Sequence, residues 1–346
     1  MRLLLYAFLV SLITGCSQPK KAEITQDKKE SAPTGMVWIP GGEFTMGTDD
    51  PESYEPERPA HRVKVTGFWM DATEVTNLQF KKFVEATGYV TTAEKKPEWE
   101  QLKKQMPPGT PRPPEANLVP GSLTFTPPSY AVNLNDYSQW WSFQPGCNWK
   151  HPEGPVSNIE DRWSHPVVQV SYDDAAAFSI WAKKRLPTEA EWEFASRGGR
   201  DGERYSWGSE FRPQGKYMAN TFQGVFPGKN EGEDGFTGSS PVRTFPPNRF
   251  GLYDIIGNVW EWTNDYYNVN YYTQLAKSRL TINPMGPDKP YDPGEPFAQK
   301  RVTRGGSFLC ATDYCVNFRP SARQGTAFDS GLSNVGFRCV IPGDAP

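Results

Sequence analysis

The sequence predicts an α+β protein: a single loop-rich domain with few helices, short strands and little regular secondary structure. Three observations carry this. The chain holds 33 Pro and 31 Gly among 346 residues, which interrupt any long element. It is 14% aromatic, with 12 Trp, but only 37% hydrophobic, so large rings rather than aliphatic layers must fill the core. Capped helical segments are few, and short apolar runs bounded by turn residues lie between them.

In order, Met36-Val37-Trp38-Ile39 and Glu43-Phe44-Thr45-Met46 read as two short strands around Pro40-Gly41-Gly42. His61–Val65 and Phe68–Met70 read as further strand. Thr76 caps a helix, with Gln79 at the capping-box position, an apolar face of Leu78, Phe80, Phe83 and Val84, and a stop at Gly88. Residues 95–160 show no periodicity. Pro166–Val170 reads as a buried strand, and Ser171 with Asp174 opens a second helix. Thr188 and Glu191 box the start of a third, which ends at Gly198-Gly199. Loops and short strands follow to the end. No linker divides residues 35–346, so one domain is expected there.

The N-terminus differs from the body. Arg2, an apolar run through Ile13 and small residues before Cys16 form a secretory signal over residues 1–15. The run is too short to span a bilayer. Leu12-Ile13-Thr14-Gly15-Cys16 resembles a bacterial lipobox, in which Cys16 takes the lipid. Residues 16–34, lysine-rich and nearly without apolar side chains, read as a tether. The expectation is an exported, lipid-anchored protein at the periplasmic face of the outer membrane or the cell surface. A net charge of −3 without basic blocks gives no electrostatic footprint for nucleic acid.

Most familiar catalytic sets are missing. His61, His151 and His165 lack metal-ligand spacing, and there is no Gly-x-Ser-x-Gly elbow or phosphate-cradling glycine loop. The cysteines say more. Besides Cys16 there are Cys147, Cys310, Cys315 and Cys339, and in an exported chain disulfides are the ordinary reading. Cys310 and Cys315 stand so close in sequence that a bridge would stabilise little. A close thiol pair equally suits a soft cation or redox exchange, and the residues alone leave both open.

The wider sequence narrows the choice. Arg304-Gly305-Gly306-Ser307-Phe308-Leu309-Cys310, Tyr314-Cys315 and Ser333-Asn334-Val335-Gly336-Phe337-Arg338-Cys339 closely resemble the formylglycine-generating enzymes. So do Met36–Gly42, Met70–Asn77, Arg185–Glu193 and Gly251–Trp262. The resemblance implies the loop-rich, C-type-lectin-like fold of that family. It implies a copper-dependent oxidase that uses O2 to convert the cysteine of a Cys-x-Pro-x-Arg segment in an unfolded sulfatase polypeptide to Cα-formylglycine. Cys310 and Cys315 would hold Cu(I), Ser307 and Tyr314 would line the oxygen pocket, and Arg323, Asn334 and Trp260 would shape the peptide groove. Ca²⁺ would bind Asn220, Thr221, Asp234 and Phe236 at one site, and Asp254, Gly257, Val259 and Glu261 at another, with Glu74 as a further ligand; carboxylate, amide and main-chain oxygens suit that cation. A monomer is expected.

Two departures stand out. Family disulfides fall where this chain has Phe178, Ala195 and Pro320, leaving Cys339 without its counterpart. Ala311 takes the place of a histidine beside the first copper cysteine. The rival readings are a non-catalytic binding or assembly lipoprotein of the same fold, and an oxygen-dependent enzyme acting on another thiol.

Overall fold

The computed structural model describes residues 32–343. The expected signal segment, Cys16 and the tether as far as residue 31 lie outside the described residues. Ala32–Pro346 is one compact unit.

The elements are short. The first strands are β1 (Met36–Ile39), β2 (Gly42–Met46), β3 (His61–Val65) and β4 (Phe68–Asp71), followed by helix α1 (Asn77–Thr87). Next come α2 (Trp99–Leu102), β5 (Gly121–Phe125), β6 (Trp141–Pro145), α3 (Tyr172–Trp181) and α4 (Glu189–Arg197). The second half contributes β7 (Gly224–Val225), β8 (Lys229–Asn230), β9 (Trp260–Tyr266), α5 (Tyr271–Leu275) and β10 (Thr281–Ile282). The chain closes with β11 (Lys300–Arg304), β12 (Arg323–Ala327), β13 (Val335–Gly336) and β14 (Val340–Pro342). The fold is α+β, with three small sheets in the orders β1-β4-β14, β10-β3-β2 and β12-β11-β9-β13, and two hairpins, β5-β6 and β7-β8.

The three long helices start where their chemistry dictates. Thr76, Ser171 and Thr188 each accept the backbone N–H three residues on, and Gln79, Asp174 and Glu191 reach back to the cap. Gly88 and Gly198 end two of them in the left-handed conformation. β1 and β2 flank the Pro-Gly-Gly turn but pair with different partners, β4 and β3. Pro166–Val170 is buried and extended yet forms no strand: Gln169 has φ 60°, which breaks the pleat, and Val167 instead donates to Val75 O at 2.9 Å. The unpatterned stretch 95–160 contains the β5-β6 hairpin.

Aromatic rings fill the core. Phe80, Phe83, Phe178 and Phe337 meet edge-on or stacked between α1, α3 and the C-terminal strands. A smaller cluster of Trp140, Phe222, Phe226, Phe308, Leu309 and Ala311 lies around the cysteine loop. Beneath that loop, Arg304 at the end of β11 bonds Glu189 at 2.7 Å and Glu193 at 2.6 Å, all fully buried, tying the loop's origin to α4.

Candidate functional site

β11 delivers the chain into Gly305 and Gly306, both left-handed (φ 95° and 72°). A Cβ on Gly306 would come within 3.0 Å of the Asn317 carbonyl and Phe318 N, so only glycine lets the chain pass under that segment. Beyond it, Cys310 N donates to Ser307 O at 2.9 Å and Cys315 N to Ala311 O at 3.0 Å. The turn brings the two Sγ atoms to 2.9 Å. Both cysteines are free; Cys310 is 1% exposed and Cys315 half-buried.

The two thiols differ electrostatically. Burial, then the bond to Cys315, pushes Cys310 well up. The hydrogen bond from Cys310 pulls Cys315 down, helped by the Asn317 amide, whose Nδ2 donates to Sγ at 3.0 Å, and by Arg319. The two sulfurs share one hydrogen bond, and Cys315 is the one whose surroundings favour ionisation more.

Ser307 Oγ accepts from Leu309 N at 3.2 Å and Asn334 Nδ2 at 3.0 Å. Tyr314 stacks on Phe226 with centroids 4.4 Å apart and meets Trp140 edge-on. Burial and the two cysteines raise its phenol, so it stays a neutral donor. Ser307, Tyr314 and Asn334 therefore gather around the pair.

Trp260 and Arg323 are both held in the interior. Trp260 sits in β9 with its ring in the core, 3% exposed. Arg323 is buried against Glu189, with Nε and Nη2 at 2.7 and 2.9 Å, and braces α4 and β12 rather than lining an open groove.

Sequence reasoning missed a strap over the loop. Tyr54 Oη donates to Tyr314 O at 3.3 Å. Three residues on, buried Glu57 accepts from Arg319 at 2.6 and 2.8 Å, from Ser321 Oγ at 2.7 Å and from Tyr54 N at 3.1 Å. The strap thus grips the chain on both sides of Cys315. Nothing local marks it, because Glu57 lies 262 residues from Arg319 in a Pro/Glu/Arg stretch that looks solvated. Cys147 and Cys339 are separate buried thiols.

The oxygen sets form two further clusters. Asp234 accepts from Thr221 N, Gln223 Nε2 and Phe236 N at 2.9, 2.7 and 3.0 Å, while buried Asn220 Oδ1 has no partner. In the second, Glu261 binds the Arg338 guanidinium at 2.7 and 2.8 Å and the Trp192 indole at 2.9 Å. Asp254 Oδ1 and Glu74 Oε2 lie buried without a hydrogen-bond donor, and Glu74 Oε1 accepts from Asn258 at 3.0 Å. Gly257 and Val259 lie on the turn between Asp254 and Glu261. Burial, with Asp254 beside it, pushes Glu74 well up; burial pushes Asp254 to about 6. Three carboxylates thus face one arginine. Among the described residues no group of three or more His, Cys, Asp or Glu side chains is arranged to hold a metal by itself, so an ion here would need main-chain and amide oxygens as well.

Comparison with known proteins agrees with the motifs. The sulfatase-modifying factor enzyme 1-like domain matches residues 20–342. Formylglycine-generating enzyme of Mycobacterium tuberculosis is 45% identical over 307 residues, covering 89% of this chain and 97% of that protein. The Bos taurus enzyme is 44% identical over 313 residues, covering 90% and 76%. Among solved structures, PvdO from Pseudomonas aeruginosa superposes with a TM-score of 0.57 at 22% identity over 88% of this chain and 93% of that one, a likeness of fold alone. With the domain spanning nearly the whole chain and relatives at this level of identity, this protein belongs to the sulfatase-modifying factor family of formylglycine-generating enzymes.

Proposed function

We propose that the protein matures sulfatases, converting the cysteine of a Cys-x-Pro-x-Arg segment in an unfolded sulfatase polypeptide to Cα-formylglycine with O2. The observation that carries this is the thiol pair, two free sulfurs 2.9 Å apart in one turn, in a chain 45% identical to a named formylglycine-generating enzyme. Two closely held thiolates are a soft donor set, which fits Cu(I) better than any hard cation. Held by Cys310 and Cys315, Cu(I) would supply a redox-active centre with affinity for a third sulfur. The chain's own residues orient the reactants. Ser307 and Asn334 fix the floor of the loop, Tyr314 offers a neutral O–H, and the aromatic cluster excludes water.

The balance is as follows. The substrate loses two hydrogens with their electrons, one from Cβ and one from sulfur, becoming a thioaldehyde, and water replaces the sulfur as hydrogen sulfide to leave the aldehyde. O2 takes four electrons, two from the substrate and two from an external thiol reductant, whose thiols leave as a disulfide.

Incubation with Cu(I), a thiol reductant, air and a Cys-x-Pro-x-Arg peptide should give aldehyde peptide by mass spectrometry. Cys310→Ser and Cys315→Ser should each abolish it and weaken copper binding. No conversion by copper-loaded wild type overturns the reaction, and unchanged copper binding in both variants overturns the site.

Calcium is proposed for the two oxygen clusters, because Asn220 Oδ1, Asp254 Oδ1 and Glu74 Oε2 are buried acceptors without donors and a cation would satisfy them. Chelation should lower Tm and added Ca²⁺ restore it, with a smaller response to both in Asp254→Asn, which alters only one of the two clusters; equal Tm in chelator and Ca²⁺ excludes a bound ion. Export with lipidation at Cys16 belongs to the same proposal, tested by labelled-lipid incorporation that Cys16→Ala must eliminate.

A further inference from the structure

Beside the thiol loop a surface groove of about 580 Å³ runs between loop 128–134 and the β7-β8 hairpin. Tyr130, Val132, Leu134, Val225 and Phe226 line it. Three of these side chains face water: Tyr130 is 65% exposed, Leu134 41% and Val225 77%. Its charged lining residue, Lys229, is already paired with Glu231 at 2.8 Å. An open apolar patch of this kind is characteristic of a binding surface. The groove is also continuous with the candidate site: Phe226, buried at its base, stacks on Tyr314, the residue before Cys315. Its size falls within the roughly 300–1,000 Å³ of ligand pockets, enough for a few side chains of an extended peptide.

We propose that this groove binds the stretch of substrate polypeptide next to the reacting cysteine and selects large apolar side chains there. The inference rests on the sulfatase-maturing function proposed above, because that reaction brings an unfolded chain across Cys315. An unfolded chain is the partner whose apolar side chains are still free to enter such a groove; a folded one has buried them. The groove lies outside the thiol loop, so its contacts are alike in the ground and transition states and act on binding rather than on the chemical step.

The test uses the full chain and two Cys-x-Pro-x-Arg peptides, one with leucine on both sides of the motif and one with serine. Wild type should convert both with similar kcat, with KM higher for the serine peptide by about tenfold or more, the scale of one buried large side chain. Val225→Asp, at an exposed position, should raise KM for the leucine peptide by a similar factor, leave kcat in place and erase the preference. Equal KM for the two peptides in wild type, or a preference unchanged in Val225→Asp and Tyr130→Ser, overturns the proposal. If wild type converts neither peptide, fluorescence anisotropy of the labelled peptides decides. Tighter binding of the leucine peptide, lost in Val225→Asp, then supports the groove while the reaction fails; equal binding overturns the groove. A concentration-dependent dimer that Val225→Asp dissociates assigns the patch to a second copy and also overturns the proposal.

Discussion

Glu57→Gln tests whether the strap over Cys315 acts as the structure implies. Glu57 is fully buried and accepts from both Arg319 terminal nitrogens, the Ser321 hydroxyl and the Tyr54 amide. An amide is nearly the same size, so the change removes charge rather than volume and leaves the Arg319 guanidinium buried without its counter-ion. Removing one partner of such a pair costs about 3–5 kcal/mol. At about 2–4 °C per kcal/mol for a domain of this scale, Tm should fall by about 6–20 °C. Scanning calorimetry or circular dichroism reads the shift. Cys315 should also alkylate several-fold faster at 20 °C, far below the transition, because the strap no longer grips the chain beside it. Adding Arg319→Met should recover much of the lost stability, since a pair replaced by apolar groups costs little compared with a pair half removed. A Tm within about 2 °C of wild type in Glu57→Gln, or a double variant no better than the single, would refute this account.

Three further outcomes follow from neighbouring geometry. Tyr54→Phe keeps the ring but loses the bond to Tyr314 O; stability should drop by about 1 kcal/mol or less, while iodoacetamide labelling of Cys315 speeds up. Gly306→Ala should destabilise by more than about 1 kcal/mol and lower kcat, because the left-handed backbone is strained for alanine and its methyl would displace Asn317, the donor to Cys315; urea unfolding and turnover measure the two effects. Asp265 is pushed up to about 8, first by burial and then by Glu189. Its folded value lies above the unfolded one, so its contribution to stability is complete below about pH 4 and is lost as pH rises towards 8. Asp265→Asn removes that loss, so the variant's Tm relative to wild type should climb between pH 5 and pH 9; a constant difference contradicts the assignment.

Local chemistry was legible in the sequence wherever it stayed local. The capping boxes at Thr76, Ser171 and Thr188 each specify a helix start within four residues, and all three form. The thiol pair, with Ser307 and Tyr314, could be read as a unit because it occupies one short stretch. The β5-β6 hairpin escaped notice because fifteen residues separate its strands and the turn signal is diluted over all of them. Pro166–Val170 looks like a strand in composition, but Gln169 takes a positive φ, with Gly331 packed closely against its carbonyl from far along the chain. Arg323 appears in the motif as a polar residue near the site, and only the fold reveals that Glu189 holds it in the interior. The strap could not be read at all, since its two halves lie at opposite ends of the chain and carry no shared pattern.

The separation of the two sulfurs has a consequence for handling the protein in air. Two thiols held 2.9 Å apart in one turn can close on each other: an oxidant's adduct on Cys315 is displaced by Cys310 once that buried thiol gives up its proton. Cys147 and Cys339, by contrast, are solitary, buried and shifted upward, and so are inert to the same reagents. Among the described cysteines, the oxidation-sensitive point is therefore the pair proposed to carry the chemistry. If the pair takes up Cu(I) as proposed, metal capture and disulfide closure compete for the same sulfur lone pairs, so activity after purification in air should track how quickly the pair was loaded, and a reductant should revive what oxygen has silenced.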